Sequence, residues 1–182
     1  MKKLISILIV CIAFNVSVAQ IYMAKSCEIK FFSASPLEDI EAINKAAKPI
    51  LNTATGALQM KIPIISFKFA KPLMEEHFNE NYMETEKFPD AFFKGKINDT
   101  IDWTKDGEYK VKATGKLTIH GVEKERTLDG TITIKGGAIR LGSKFKVHVA
   151  DHGIKVPTLY VKNIAEDVDV TIDAILEPFK KN

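Results

Sequence analysis

The chain is 182 residues long, 46% hydrophobic, 27% charged and 9% aromatic, with a formal net charge of +3. That length can bury the core of one domain, and the composition excludes a disordered, collagen-like or low-complexity chain. Two of the 26 basic residues, Lys2 and Lys3, sit in an N-terminal leader, and the remainder nearly balance the 23 acidic ones, which leaves no footprint of a nucleic-acid binder.

The leader comes first in the chain. Met1-Lys2-Lys3 is a short positive segment, Leu4 to Phe14 is an apolar run broken only by Ser6, and Ser17-Val18-Ala19 supplies small residues for a peptidase. This predicts a secretory signal peptide over residues 1–19, cleaved after Ala19, and a periplasmic or secreted domain over 20–182. The run is shorter than the ~20 residues of a membrane-spanning helix. One of the two cysteines, Cys11, lies in the leader, so Cys27 has no intrachain partner and reads as a small residue packed in a strand.

Tyr22 to Phe32 reads as a strand. Over Ser35 to Asn52 the signals conflict: Ser35-Pro36-Leu37-Glu38 is a capping-box signature with Leu37, Ile40, Ile43 and Ala47 at helical spacing, yet Ile40 and Ala42 alternate with charges and Pro49 limits any helix. Leu58, Met60, Ile62 and Ile64 share one strand face. The pattern then slips to Ile65, Phe67 and Phe69, which predicts a bulge near Pro63 to Ser66. From Pro72 to Met83 the positions Leu73, Met74, His77, Phe78 and Tyr82 fit a helix crossing the end of a sheet. Ala91 to Ile101 is a further strand.

The second half alternates more cleanly. Tyr109, Val111, Ala113, Gly115, Leu117 and Ile119 oppose a face of lysines and threonines. Leu128, Gly130, Ile132 and Ile134 do the same. After the hairpin signal Gly136-Gly137 come Ile139, Leu141, Ser143, Phe145, Val147 and Val149, and then Val168, Val170, Ile172 and Ala174. One apolar and one polar face is the mark of antiparallel strands. Strands of this length exceed the usual ~5–6 residues, and seven or eight of them suggest a closed or nearly closed barrel. The small inward residues Ala113, Gly115, Gly130, Ser143 and Ala174 can leave internal space. Alternatively, Phe31, Phe93, Phe145 and Tyr109 fill it.

The run Gly115-Lys116-Leu117-Thr118-Ile119-His120-Gly121-Val122 resembles the signature of the YceI-like family. Leu73-Met74 followed by His77-Phe78, then Phe88-Pro89-Asp90-Ala91-Phe92-Phe93, Asp151-His152-Gly153-Ile154 and Val168-Asp169-Val170-Thr171-Ile172 fall in the family's order. The resemblance covers nearly the whole chain after the leader. It implies an all-β fold, an extended eight-stranded antiparallel lipocalin-like barrel with one short helix, and it makes Leu37 to Lys45 part of the second strand. It also implies an exported protein that holds a polyisoprenoid or isoprenoid-quinone chain in the barrel interior, for sequestration or transport, with no catalytic role and no cofactor or metal beyond that lipid.

Hydrocarbon tails need depth and apolar walls rather than hydrogen bonds. The expected contact surface is therefore diffuse: Phe31, Ile62, Ile64, Phe93, Ile97, Val111, Leu117, Ile132, Leu141, Phe145, Val147, Val170 and Ile172. Expected partners are the lipid or quinone, a second copy of the chain and, transiently, a membrane surface reached by outward lysines, with no nucleic acid. Two other readings stay open: an envelope enzyme acting on a lipid with His120 and Asp151 as acid and base, or a filled barrel that binds a partner. His120 also reads as a side chain bonded to its own turn. Asp167, Asp169 and Asp173 read as a solvated face. His148 and His152 are four apart, ~13 Å on an extended strand, which is too far to share a metal unless the chain turns between them at Asp151-His152-Gly153.

Overall fold

A computed structural model describes residues 20–34, 38–155 and 166–180. The leader over 1–19 and the capping signature at Ser35 to Leu37 lie outside these residues.

Among the described residues, ten strand segments build one closed barrel of eight staves. The first stave is β1 (Ile21–Ser33). The second is broken into β2 (Ile40–Asn44) and β3 (Lys48–Asn52), and the third into β4 (Ala57–Pro63) and β5 (Phe67–Phe69). Five unbroken staves follow: β6 (Asp90–Ile97), β7 (Gly107–Ile119), β8 (Val122–Lys135), β9 (Ala138–His148) and β10 (Asp167–Pro178). All pairings are antiparallel, and β1 closes the barrel on β10, from Tyr22 opposite Pro178 to Phe32 opposite Asp169. Closure leaves few open edges, which suits strands with one apolar face.

Both broken staves break at one level, and Asn44 explains why. Its fully buried side chain accepts the Ala46 and Ala47 backbone N–H groups at 2.8 and 3.2 Å, turning the chain out of β2. Its amide donates to the Pro63 carbonyl at 2.7 Å, where β4 ends. The expected strand at 37–45 is present as β2, whereas β3 was not anticipated; Pro49 sits inside it and is buried. The expected bulge after Pro63 is instead a single 3-10 turn, Ile64–Ser66. That turn leaves Ile65 57% exposed, not inward with Phe67 and Phe69 as the alternation implied.

Past this level β5 stays with β2 while β6 stays with β4, so the wall splits. The short helix α1 (Pro72–His77) and the wider turn Phe78–Tyr82 lie at this end. Together they cover nearly all of the expected helix from Pro72 to Met83, its second half wound as a π-helix. Proline at its first position suits the start, and no side chain caps it. Glu75 in its first turn holds Lys68 and the Phe69 N–H of β5. Phe78 then packs on Phe31, Phe67 and Phe69, with ring centroids 5.0–5.7 Å apart.

The far end is packed solid. Leu51, Ile134, Ile139 and Leu176 are buried there, and Tyr109 donates to the Asp102 and Lys105 carbonyls of the β6–β7 connection. The strand expected to reach Ile101 stops at Ile97; the exposed Asp99 then accepts the Lys112 N–H at 2.6 Å. Cys27 is buried on β1, and burial, aided by the Asp173 charge, pushes its thiol up to about 11, so it stays protonated and unreactive at neutral pH.

Candidate functional site

The half of the barrel nearer α1 is hollow. A cavity of about 450 Å³ runs between the staves, and its walls are almost wholly apolar. All thirteen residues expected from the sequence as lipid contacts, from Phe31 on β1 to Ile172 on β10, lie in its wall. They come together because alternation on every stave turns one face inward, and closure collects those faces.

The space has an identifiable origin. Ala113, Gly130 and Ser143 line it, as expected for small inward residues. Gly115 and Ala174 do not. Ala174 is packed against its neighbours, with 1% of its surface exposed. Gly115 lies opposite Gly95, and a Cβ built on it would sit 2.3 Å from the Gly95 Cα and 2.4 Å from the Lys94 carbonyl oxygen. Glycine serves there for a close crossing of β6 and β7, not for cavity space. Phe31, Phe93 and Phe145 line the cavity without closing it, while Tyr109 belongs to the packed end.

Several wall residues escaped the sequence reading. Phe67, Phe69, Phe78, Met74, Tyr82 and Met83 line the cavity where the wall splits. The helical apolar stripe from Leu73 to Tyr82 was the available signal, but it reads equally as plain core. Polar groups are few and sit at the margins. Glu38 is at the rim with Lys71 2.5 Å away, and His77 is exposed beside it. Asp129 also lies in the wall, with its carboxylate ion-paired with Lys112 at 2.5 Å.

His120 and Asp151 are not part of this cavity wall. His120 and Gly121 form the two-residue turn between β7 and β8, with φ of 51° and 72°, the left-handed pair that a tight hairpin demands. The His120 ring was expected to bond its own turn; instead it ties separate connections together. Nδ1 lies 3.2 Å from the His152 carbonyl, Nε2 lies 3.0 Å from Glu84, and Phe88 packs edge-on at 4.4 Å. Hydrogen bonds from Lys87 and then His120 hold the Glu84 carboxyl below its usual range. Asp151 is exposed in the turn Val149–His152. The aspartates of β10 are exposed or half-exposed and paired: Asp167 with His148, Asp169 with Lys146, Asp173 with Arg140. Among the described residues no cluster of three His, Cys, Asp or Glu side chains could hold a metal ion.

His152 is fully buried. Its Nδ1 faces the Val122 carbonyl at 3.1 Å, and its Nε2 has no hydrogen-bond partner among the described residues. Protonating Nε2 would bury an unmatched donor and a charge. Burial accordingly lowers the His152 pKa from the ordinary 6.5. The unfolded chain therefore takes up this proton first, and folding stability falls as pH drops below about 6.5, until the folded state titrates as well. Urea midpoints measured from pH 7.5 down to 5.5 are expected to decline, with a shallower slope in His152→Gln. An unchanged slope in the variant would contradict this assignment.

The YceI-like domain family matches residues 26–176 of this sequence. The chain belongs to the YceI-like family. Its signature run has a physical content here: Gly115 allows the crossing of two staves, Leu117 lines the cavity, and His120-Gly121 make the latched turn. A Cβ on Gly121 would meet the Phe88 ring at 2.5 Å. Solved structures agree on the fold. A polyisoprenoid binding domain from Saccharophagus degradans, implicated in plant cell wall breakdown, superposes with a TM-score of 0.75 at 15% identity, over 87% of this chain and 98% of its own. BcnA of Burkholderia cenocepacia gives 0.70 at 18% identity, over 82% and 95% of the two chains. The YCEI protein of Campylobacter jejuni gives 0.56 at 24% identity, over 75% and 81%. Among curated proteins nothing matches this chain.

Proposed function

We propose that this protein is an exported binding protein that holds a polyisoprenoid or isoprenoid-quinone chain inside the barrel, for sequestration or transport between membranes. The observation that carries the reading is the cavity of about 450 Å³ with apolar walls, closed at one end by packed core. The Saccharophagus relative, described as a polyisoprenoid binding domain on the same fold, supports the ligand class. The leader pattern over residues 1–19 supports export.

The physics suits such a ligand. Burying methylenes contributes ~0.8 kcal/mol each, so a five-carbon isoprene unit contributes roughly 4 kcal/mol before the loss of chain freedom is subtracted. A few units therefore suffice for tight binding without any specific hydrogen bond. Catalysis is not part of this reading, because His120 is occupied by structural bonds and the exposed Asp151 is not in the cavity wall.

Calorimetric titration of the delipidated protein with geranylgeraniol tests it. Saturable binding at one site per chain is expected. A folded, delipidated protein that gives no saturable heat with this probe would overturn the proposal.

A further inference from the structure

The barrel wall has a second irregularity at the same end, between β8 and β9. β7 and β8 pair along their whole length, to Ile119 opposite Val122. β9 and β10 pair as far as His148 opposite Asp167. Between them, the β8–β9 ladder runs from Lys135–Ala138 only to Gly130–Ser143 and stops. In continued register Leu128 would face Phe145 and Arg126 would face Val147. Instead residues 122–129 and 144–148 run on as strands outside that ladder, and the wall forks over five residues of β9, roughly 16 Å of strand.

Two side chains bridge the fork. The Ser143 hydroxyl donates to the Asp129 carbonyl at 2.6 Å, and the Arg126 guanidinium donates to the Lys146 carbonyl at 2.7 Å. The cavity reaches the fork from inside, since Leu128, Gly130, Ser143, Phe145 and Val147 on its two arms all line it. Arg126 is the next residue after Leu128 on the inward face of β8, and Lys124 is the one beyond. Neither has a carboxylate partner among the described residues, and Arg126 is half-buried. Across the same open end of the cavity, by contrast, Glu38 and Lys71 already neutralise each other.

A half-buried guanidinium one inward position beyond Leu128 of the cavity wall, with donors to spare and no carboxylate, matches an anion carried on an apolar tail. We propose that the β8–β9 fork is a headgroup site, in which Arg126 binds the phosphate-type or carboxylate end of an amphiphile whose tail lies in the cavity. This rests on the proposed function and narrows its ligand from a neutral chain to an anionic one.

The test compares geranylgeranyl phosphate with uncharged geranylgeraniol on the delipidated protein. The wild type is expected to prefer the phosphate by at least about 10-fold, less at high salt. In Arg126→Gln the preference disappears while affinity for the alcohol stays within about 2-fold, as for any contact made only by the headgroup. Equal binding of the two probes by the wild type would overturn the headgroup site, whether or not the variant folds, and leave the lipid-binding reading standing. A preference retained in Arg126→Gln would likewise overturn the role of Arg126. Saturable binding of inorganic phosphate alone, as tight as the lipid phosphate, would assign the site to a free anion and overturn the amphiphile. Failure of both lipid probes would overturn the lipid-binding reading itself.

Discussion

An Ala113→Trp variant is expected to fold and yet to bind geranylgeraniol at least about 100-fold more weakly than the wild type. Ala113 is buried in mid-stave on β7, between Ile97 of β6 and Leu128 of β8, and lines the cavity. A large side chain there projects into open space, not into packed neighbours. The overpacking penalty of ~1–3 kcal/mol that normally follows small-to-large changes in a core is therefore softened. The indole instead occupies the volume that the tail would take. Titration with the alcohol, alongside a thermal melt, checks both halves of the statement. A variant that melts like the wild type and binds equally well would place the ligand elsewhere on the molecule.

Gly115→Ala is expected to do the reverse, harming the fold rather than the ligand. The added methyl would stand 2.3 Å from the Gly95 Cα, 2.4 Å from the Lys94 carbonyl oxygen and 2.9 Å from the Gly95 nitrogen. All three are backbone atoms in a paired stave, so no rotamer change relieves the clash, and β6 and β7 must separate. A loss of about 3 kcal/mol or more follows for overpacking that only backbone movement can relieve. Gly142→Ala is the control. A Cβ there meets nothing within 4 Å, so its effect should stay within about 1 kcal/mol, the ordinary scale of a glycine-to-alanine change. Urea denaturation of the two variants reads the contrast directly. Equal midpoints would refute the crossing as a structural requirement.

The staves from Tyr109 onward were legible because strict alternation leaves no second interpretation: one face of Val111, Ala113 and Leu117, one of lysines. The first three staves were harder. Alternation there is interrupted by devices whose cause is tertiary. Asn44 ends β2 by bonding Pro63, nineteen residues away, and no local pattern around Ile40 to Asn44 announces that. The slip from Ile64 to Phe67 was visible, but a bulge and a 3-10 turn produce the same one-residue shift in hydrophobic phase. They differ only in where Ile65 points. The cavity wall was legible for the same reason as the strands, since inward parity names its residues. What parity cannot say is which inward glycine makes room and which admits a neighbouring backbone. Gly130 and Gly115 look alike in sequence and differ in the structure. The fork between β8 and β9 left no trace either: Arg126 continues the face of Leu128, but its consequence depends on where pairing with β9 ends.

The central claim is that this barrel carries a lipid tail within it. Native mass spectrometry of the protein purified without detergent, followed by solvent extraction, tests that most directly. The account predicts a protein mass raised by one prenyl species at fixed stoichiometry, lost in Ala113→Trp. A bare-chain mass in both proteins, with no prenyl species in the extract, would contradict it.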